Sequence, residues 1–171
     1  ILSTDHFPEE IINTMKELGT DPESYLQKQL YFIDAFSYRT TGERAKRGSL
    51  AVNDIRDLTS MSISFKKLSD TNEKLQLVLA TISTLSIFNN DIALLDFIQT
   101  QVARIKQKKH SGIIISHKGI MGEKITQGIS SLVDGVIEFK FEEGESGSLQ
   151  RKLRVSYAKN IKAQGWISLQ K

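Results

Sequence analysis

Asp5 and His6 are neighbours near the start of the sequence, a carboxylate and an imidazole that could serve as an acid/base pair or as two ligands of a metal ion. Adjacent residues of an extended segment point to opposite sides, however, and neither His110 nor His117 offers the spacing of a third ligand, so no metal site is assigned. Asp34 sits near the end of an apolar run over residues 30–36. A carboxylate there could serve a ligand site or cap the next turn. His117 and Lys118 follow another apolar run, residues 112–116, and would stand at its C-terminal end, the edge where parallel sheets bind ligands. That allows a sensing role or a plain solvated loop. Residues 37–49 gather Tyr38, Arg39, Arg44, Lys46 and Arg47, cations able to hold the phosphates of a nucleic acid or simply to face water. There is no cysteine, which excludes disulfides and thiolate-bound zinc and suits a reducing, cytoplasmic setting.

The elements that must position these residues alternate between helical and extended patterns. Residues 1–4 suggest the end of a strand that is already running. Pro8 suits a first helical turn, Ile11, Ile12, Met15 and Leu18 recur at helical spacing, and Gly19 ends the helix. Asp21 opens a short helix through Gln27, and residues 30–36 suit a buried strand. Residues 37–49 lack periodicity and suggest a mobile basic loop. A helix is expected over 54–68 with Ile55, Leu58, Met61 and Phe65 on one stripe, then a polar turn over 70–74 and a strand over 75–80. The next helix, capped by Asn90 or Asp91, carries Ile92, Leu95, Ile98, Val102 and Ile105 and ends in Lys106, Lys108 and Lys109, which suit its dipole. A strand at 112–116 and a helix at 123–133 follow. Residues 136–142 and 149–157 then alternate apolar with polar residues as an antiparallel hairpin, and residues 166–169 add a last strand containing Trp166, a core or subunit-interface anchor.

This plan is an α/β fold, a mostly parallel sheet flanked by helices and ending in a β meander. The 171 residues, 39% hydrophobic and 25% charged, suit a single domain over 1–171. A net charge of +3 permits contact with nucleic acid without arguing for it. The richest apolar stretch, residues 75–88, is interrupted by Gln76 and several Ser and Thr and falls short of the ~20 apolar residues of a membrane span, so no membrane contact is expected.

Four stretches in order resemble the RecA-like ATPases, most closely their KaiC-like, archaeal-type branch: residues 3–12 with Leu18-Gly19-Thr20-Asp21, then Tyr31-Phe32-Ile33-Asp34-Ala35, then residues 83–91, then residues 131–138. The resemblance covers nearly the whole chain. It implies a three-layer RecA-like sheet, a P-loop nucleotide site using ATP and Mg²⁺, and assembly with other subunits. It also places the nucleotide-site candidates at Asp34, Thr81, His117 and Lys159.

Departures from the family bear directly on activity. No Gly-Lys-Ser or Gly-Lys-Thr of a phosphate loop occurs; the family's loop follows its first strand, and that strand and loop are expected upstream of residue 1. ATP and Mg²⁺ are therefore expected only if such a loop exists there. The family's metal-binding carboxylate at the end of its Walker B strand aligns with Ala80, whose methyl accepts no hydrogen bond, and Thr81 replaces the usual Ser. The family's water-polarising Glu aligns with Asp5 or His6, and a displacement of roughly 1 Å can cost on the order of 100-fold in rate. The late Lys-x-Arg-Gly, which reaches a neighbouring subunit's nucleotide, is reduced to Lys159-Asn160 after Tyr157-Ala158.

The expectation is therefore a hydrolysis-deficient RecA/KaiC-like domain that acts by binding a protein partner or further copies of itself. Two alternatives remain: an ATP-binding ATPase with its phosphate loop upstream and Mg²⁺ on another carboxylate such as Asp34, and a DNA-binding recombinase paralogue using Arg39, Arg44, Lys46 and Arg47.

Overall fold

The computed structural model describes residues 1–42, 49–143, 148–162 and 164–169. The chain divides into two compact units, residues 1–125 and the remainder from Thr126 onward.

In the first unit, β1 (Leu2–Ser3), β2 (Phe32–Asp34), β3 (Ser49–Ala51), β4 (Gln76–Ala80) and β5 (Ser111–Ile114) form one sheet in the order β3-β2-β1-β4-β5. Every pairing is parallel, so all five strands end on one edge. Parallel pairing demands crossovers, supplied by α1 (Pro8–Glu17), α2 (Ser37–Thr41), α3 (Leu58–Thr71), α4 (Ile82–Phe88) and α5 (Asp91–Gln107). The core is built from Leu2, Phe32, Ile33, Leu77 and Leu79 of the strands with Met61, Phe65, Leu85, Leu94 and Ile98 of the helices, each at most 4% exposed. Leu77 and Leu79 of β4 enter the core while Gln76, Val78 and Ala80 alternate with them, and β5 at the sheet's edge is largely exposed.

Local chemistry sets the helix ends. Asn90 is the cap of α5, its side chain accepting the Ala93 N–H at 2.9 Å. Gly19, at φ +83°, follows the last turn of α1 as expected. The helix expected from residue 54 begins instead at Leu58, because Asp54 folds back on the Arg56 N–H at 2.9 Å and Asp57 then caps the helix through the Ser60 N–H at 2.8 Å. The same helix runs on to Thr71, into the expected polar turn. Of the short helix expected from Asp21, one 3₁₀ turn forms, Glu23–Tyr25. Residues 37–49 do not form one loop: Ser37–Thr41 is α2, Ser49 opens β3, and residues 43–48, with Arg44, Lys46 and Arg47, lie outside the described residues.

On α5 the buried stripe is Leu94, Phe97, Ile98 and Gln101, whereas Ile92, expected inside, is 82% exposed. A glutamine occupies the core because its partners are there too. Gln101 Nε2 donates to Ser62 Oγ at 3.1 Å, and Arg104 Nη1 donates to Gln101 Oε1 at 2.7 Å, tying α5 to α3. His110 is likewise a structural residue: its Nδ1 accepts the Leu75 N–H at 3.3 Å while Nε2 lies 3.1 Å from Ser69 Oγ.

The boundary between the units falls inside α6 (Glu123–Leu132). The second unit then forms an antiparallel sheet, β6 (Gly135–Glu143), β7 (Leu149–Ala158) and β8 (Ile167–Leu169), in that order. One face carries the Arg154–Glu138 pair at 2.9 Å, with the half-buried Trp166 ring 4.7 Å from the Arg154 guanidinium and 4.4 Å from Lys140 Nζ. Ile137, Phe139 and Phe141 pair with Val155, Leu153 and Arg151 on the other.

Candidate functional site

Successive strands run from β1 to β2 to β3 in one direction across the sheet, while β4 and β5 lie on the opposite side of β1. The order reverses between β1 and β4, and α/β sheets open their ligand crevice at the C-terminal ends of such a pair. Here those ends are Thr4-Asp5 and Ala80-Thr81.

Thr4 joins them. It is fully buried, its Oγ1 accepts the Thr81 N–H at 2.8 Å and donates to the Thr81 carbonyl at 2.9 Å, and its own N–H donates to the Ala80 carbonyl at 3.0 Å. The Ala80–Thr81 peptide is cis. One residue further along, Asp5 Oδ2 accepts from Thr81 Oγ1 at 3.2 Å and Thr84 Oγ1 at 3.4 Å, and the two hydroxyls lie 3.3 Å apart. The other carboxylate oxygen, Asp5 Oδ1, is buried with no hydrogen-bond partner among the described residues. The strand ends thus bring one carboxylate and the hydroxyls of Thr81 and Thr84 together, next in sequence to Ala80, whose side chain has no polar atom.

The expected site residues are distributed unevenly around this point. Asp5, Ala80 and Thr81 come together. His6 diverges from Asp5, its exposed ring 3.6 Å from Glu10. Asp34 is 2% exposed and stands level with Ser3, which in turn stands level with Ala80. Two interstrand spacings, about 10 Å, therefore separate its backbone from that of Ala80. Its Oδ1 accepts the N–H groups of Phe36 and Ser37, each at 3.0 Å, so it caps the turn into α2, while its Oδ2 is buried without a partner among the described residues. His117 follows β5 on the same sheet edge, its N–H donating to Ser83 Oγ at 2.7 Å. Lys159 belongs to the second unit, where its N–H donates to the Asp134 carbonyl at 2.7 Å. Arg39 lies on α2. Thr4 and Thr84 were not expected; the Thr81-x-x-Thr84 spacing, one helical turn, was the available signal.

Magnesium takes near-octahedral oxygen coordination and is usually held by one or two carboxylates together with substrate phosphates. Asp5 Oδ1 is one such oxygen, but position 80 supplies none, and these 171 residues contain no phosphate loop. The residues present do not fit a magnesium nucleotide held in the family's manner, and no catalytic step is derived through one.

A parallel sheet in this strand order, with its crevice between β1 and β4, defines a RecA-like α/β protein. The family model described as "ATPase: KaiC" matches residues 1–164, and the chain belongs to that family. Solved structures agree on the fold. The uncharacterized protein PH0321 from Pyrococcus horikoshii, crystallised in complex with an unknown peptide, matches with a TM-score of 0.69 and 16% identity over 92% of this chain and 70% of its own. The flagellar accessory protein FlaH from Methanocaldococcus jannaschii matches with a TM-score of 0.60 and 16% identity over 98% of this chain and 69% of its own. Comparison with curated proteins yields no match. Among the described residues no helix is long and apolar enough to cross a membrane.

Proposed function

We propose that this KaiC-family domain does not hydrolyse ATP by the family's route and acts instead as a binding or regulatory subunit through contacts with other proteins. Ala80 carries the reading. It stands at the strand end where a family member presents a metal-anchoring carboxylate, and the carboxylate at the end of the adjoining strand, Asp5, has only Oδ1 uncommitted because Oδ2 accepts from Thr81 and Thr84. A peptide-bound relative in PH0321 and an accessory protein in FlaH support a role in protein contacts. The proposal extends to domain organisation: a single RecA/KaiC-like domain, with the family's first strand and phosphate loop supplied, if at all, from outside these residues.

The test is ATP turnover by the full-length protein with Mg²⁺, followed as phosphate release, beside the Ala80→Asp variant. The wild type is expected to release no phosphate above a heat-inactivated control. Ala80→Asp places a second carboxylate near Asp5 and should melt lower without Mg²⁺. Saturating Mg²⁺ at ~100 times its Kd should return about 2.7 kcal/mol to that variant and nothing to the wild type. Family-typical turnover by the wild type, unaltered by Ala80→Asp, would overturn the proposal.

A further inference from the structure

On the sheet's C-terminal edge, beyond the crevice, the turn after β3 faces the ends of α2 and α4 and encloses a pocket of about 320 Å³ lined by Arg39, Asn53, Asp54, Ile55, Arg56 and Phe88. Its walls are fixed from beneath. Ile55 is 1% exposed and anchors the turn in the core, and Asn89 Nδ2 donates to both the Ile55 carbonyl at 3.3 Å and the Leu85 carbonyl at 3.0 Å, binding the turn to the end of α4.

Two guanidinium groups line this pocket with donors to spare. Arg39 lies 3.9 Å from the centroid of the Phe88 ring, which holds its plane and shields one of its faces from water. None of its N–H groups has an acceptor among the described residues. Arg56 is committed on one side only: Nε and Nη2 donate to Asp54 at 3.1 and 2.9 Å, leaving Nη1 unengaged. The Arg56 guanidinium holds the Asp54 carboxyl below its ordinary range, so Asp54 is anionic at neutral pH. Among the described lining residues, two cations and one anion leave a single net positive charge.

Resting on the reading of this domain as a protein-binding one, we propose that the pocket seats the carboxylate of an Asp or Glu side chain from a peptide segment of a partner, with Arg39 as the principal donor. A carboxylate matches the planar fork of a guanidinium and brings one negative charge to a site that has one positive charge to meet it. A phosphodiester chain brings a charge at every nucleotide, more than the single net charge of the described lining meets. The volume, at the low end of the ~300–1,000 Å³ of ligand pockets, suits one side chain and its backbone rather than a stacked run of bases.

Fluorescence anisotropy on the full-length protein tests this with three labelled probes: a short random peptide pool with Glu fixed at its centre, the same pool with Gln there, and a single-stranded oligo-dT. The Glu pool should bind at least about tenfold more tightly than the Gln pool, and Arg39→Ala should remove that preference, a loss on the scale of one charged hydrogen bond. Arg39→Lys keeps the charge but loses the fork and the stacking, and should recover only part of it. Arg39 is exposed, and an unchanged melting temperature confirms that both variants fold. Equal binding of the two pools, or a Glu preference that survives Arg39→Ala, would overturn the proposal. So would oligo-dT binding that Arg39→Ala abolishes, which would assign the pocket to nucleic acid. None of these outcomes involves ATP turnover, so each leaves the reading of Ala80 to its own test.

Discussion

Phe65→Ala is expected to lower the free energy of unfolding by about 3–5 kcal/mol, the range for deleting a large aromatic side chain from a packed core. Phe65 is 1% exposed on α3, the helix that packs on α5 and β2, and its ring lies 5.7 Å from the Arg104 guanidinium. Truncation would therefore leave a cavity and also uncover the polar link of Arg104, Gln101 and Ser62 that joins the two helices. Ile63, two residues earlier and 61% exposed, provides the control: Ile63→Ala should change stability by no more than about 0.5 kcal/mol. Urea unfolding of the two variants checks the pair. Similar losses for both would mean that α3 presents a different face to the sheet.

The second large effect is expected at the crevice itself. Thr4→Val preserves shape but removes the hydroxyl that serves both the N–H and the carbonyl of Thr81. Each buried backbone group left without its partner costs about 1–3 kcal/mol, so roughly 2–6 kcal/mol should be lost in all. Thr4→Ser retains the hydroxyl and should keep most of the stability. A Thr4→Val protein as stable as the wild type would show that this hydroxyl does not hold β1 and β4 together at their ends.

The parallel sheet and its larger helices were legible because their signals are local. Asn90 caps α5 as its side chain suggests, Gly19 follows α1 in a positive-φ conformation, and the apolar runs around Ile33 and Leu79 form central strands. What escaped had too little local pattern. β3 spans three residues, Ser49–Ala51, too few to show alternation. α2 has no apolar stripe in Ser37–Thr41; its start is set by the Asp34 carboxylate accepting the Phe36 and Ser37 N–H groups. The stripe of α5 was displaced because Gln101 is buried, which no periodicity of apolar residues foretells.

The site divides in the same way. Ala80, Asp5 and Thr81 could be singled out one by one, from strand ends and from a family resemblance. That they belong to one site was implied by the resemblance, but the contacts of Asp5 with Thr81 and Thr84, 76 and 79 residues away, follow only from the pairing of β1 with β4. Arg39 was visible as one cation among several. Its stacking on Phe88 depends on a turn and two helices from separate crossovers, so the pocket it lines had no signature in the chain.

Titration of the full-length protein with Mn²⁺, followed by electron paramagnetic resonance against Mn²⁺–ATP alone as the reference, examines position 80 most directly, since ATP itself takes up the free ion and only a change beyond that reference reports a protein site. The account predicts no one-to-one Mn²⁺ site in the wild type and the appearance of one in Ala80→Asp. Stoichiometric uptake by the wild type, lost when Asp5 is changed to Asn, would contradict it by showing that the crevice anchors a divalent ion without a carboxylate at residue 80.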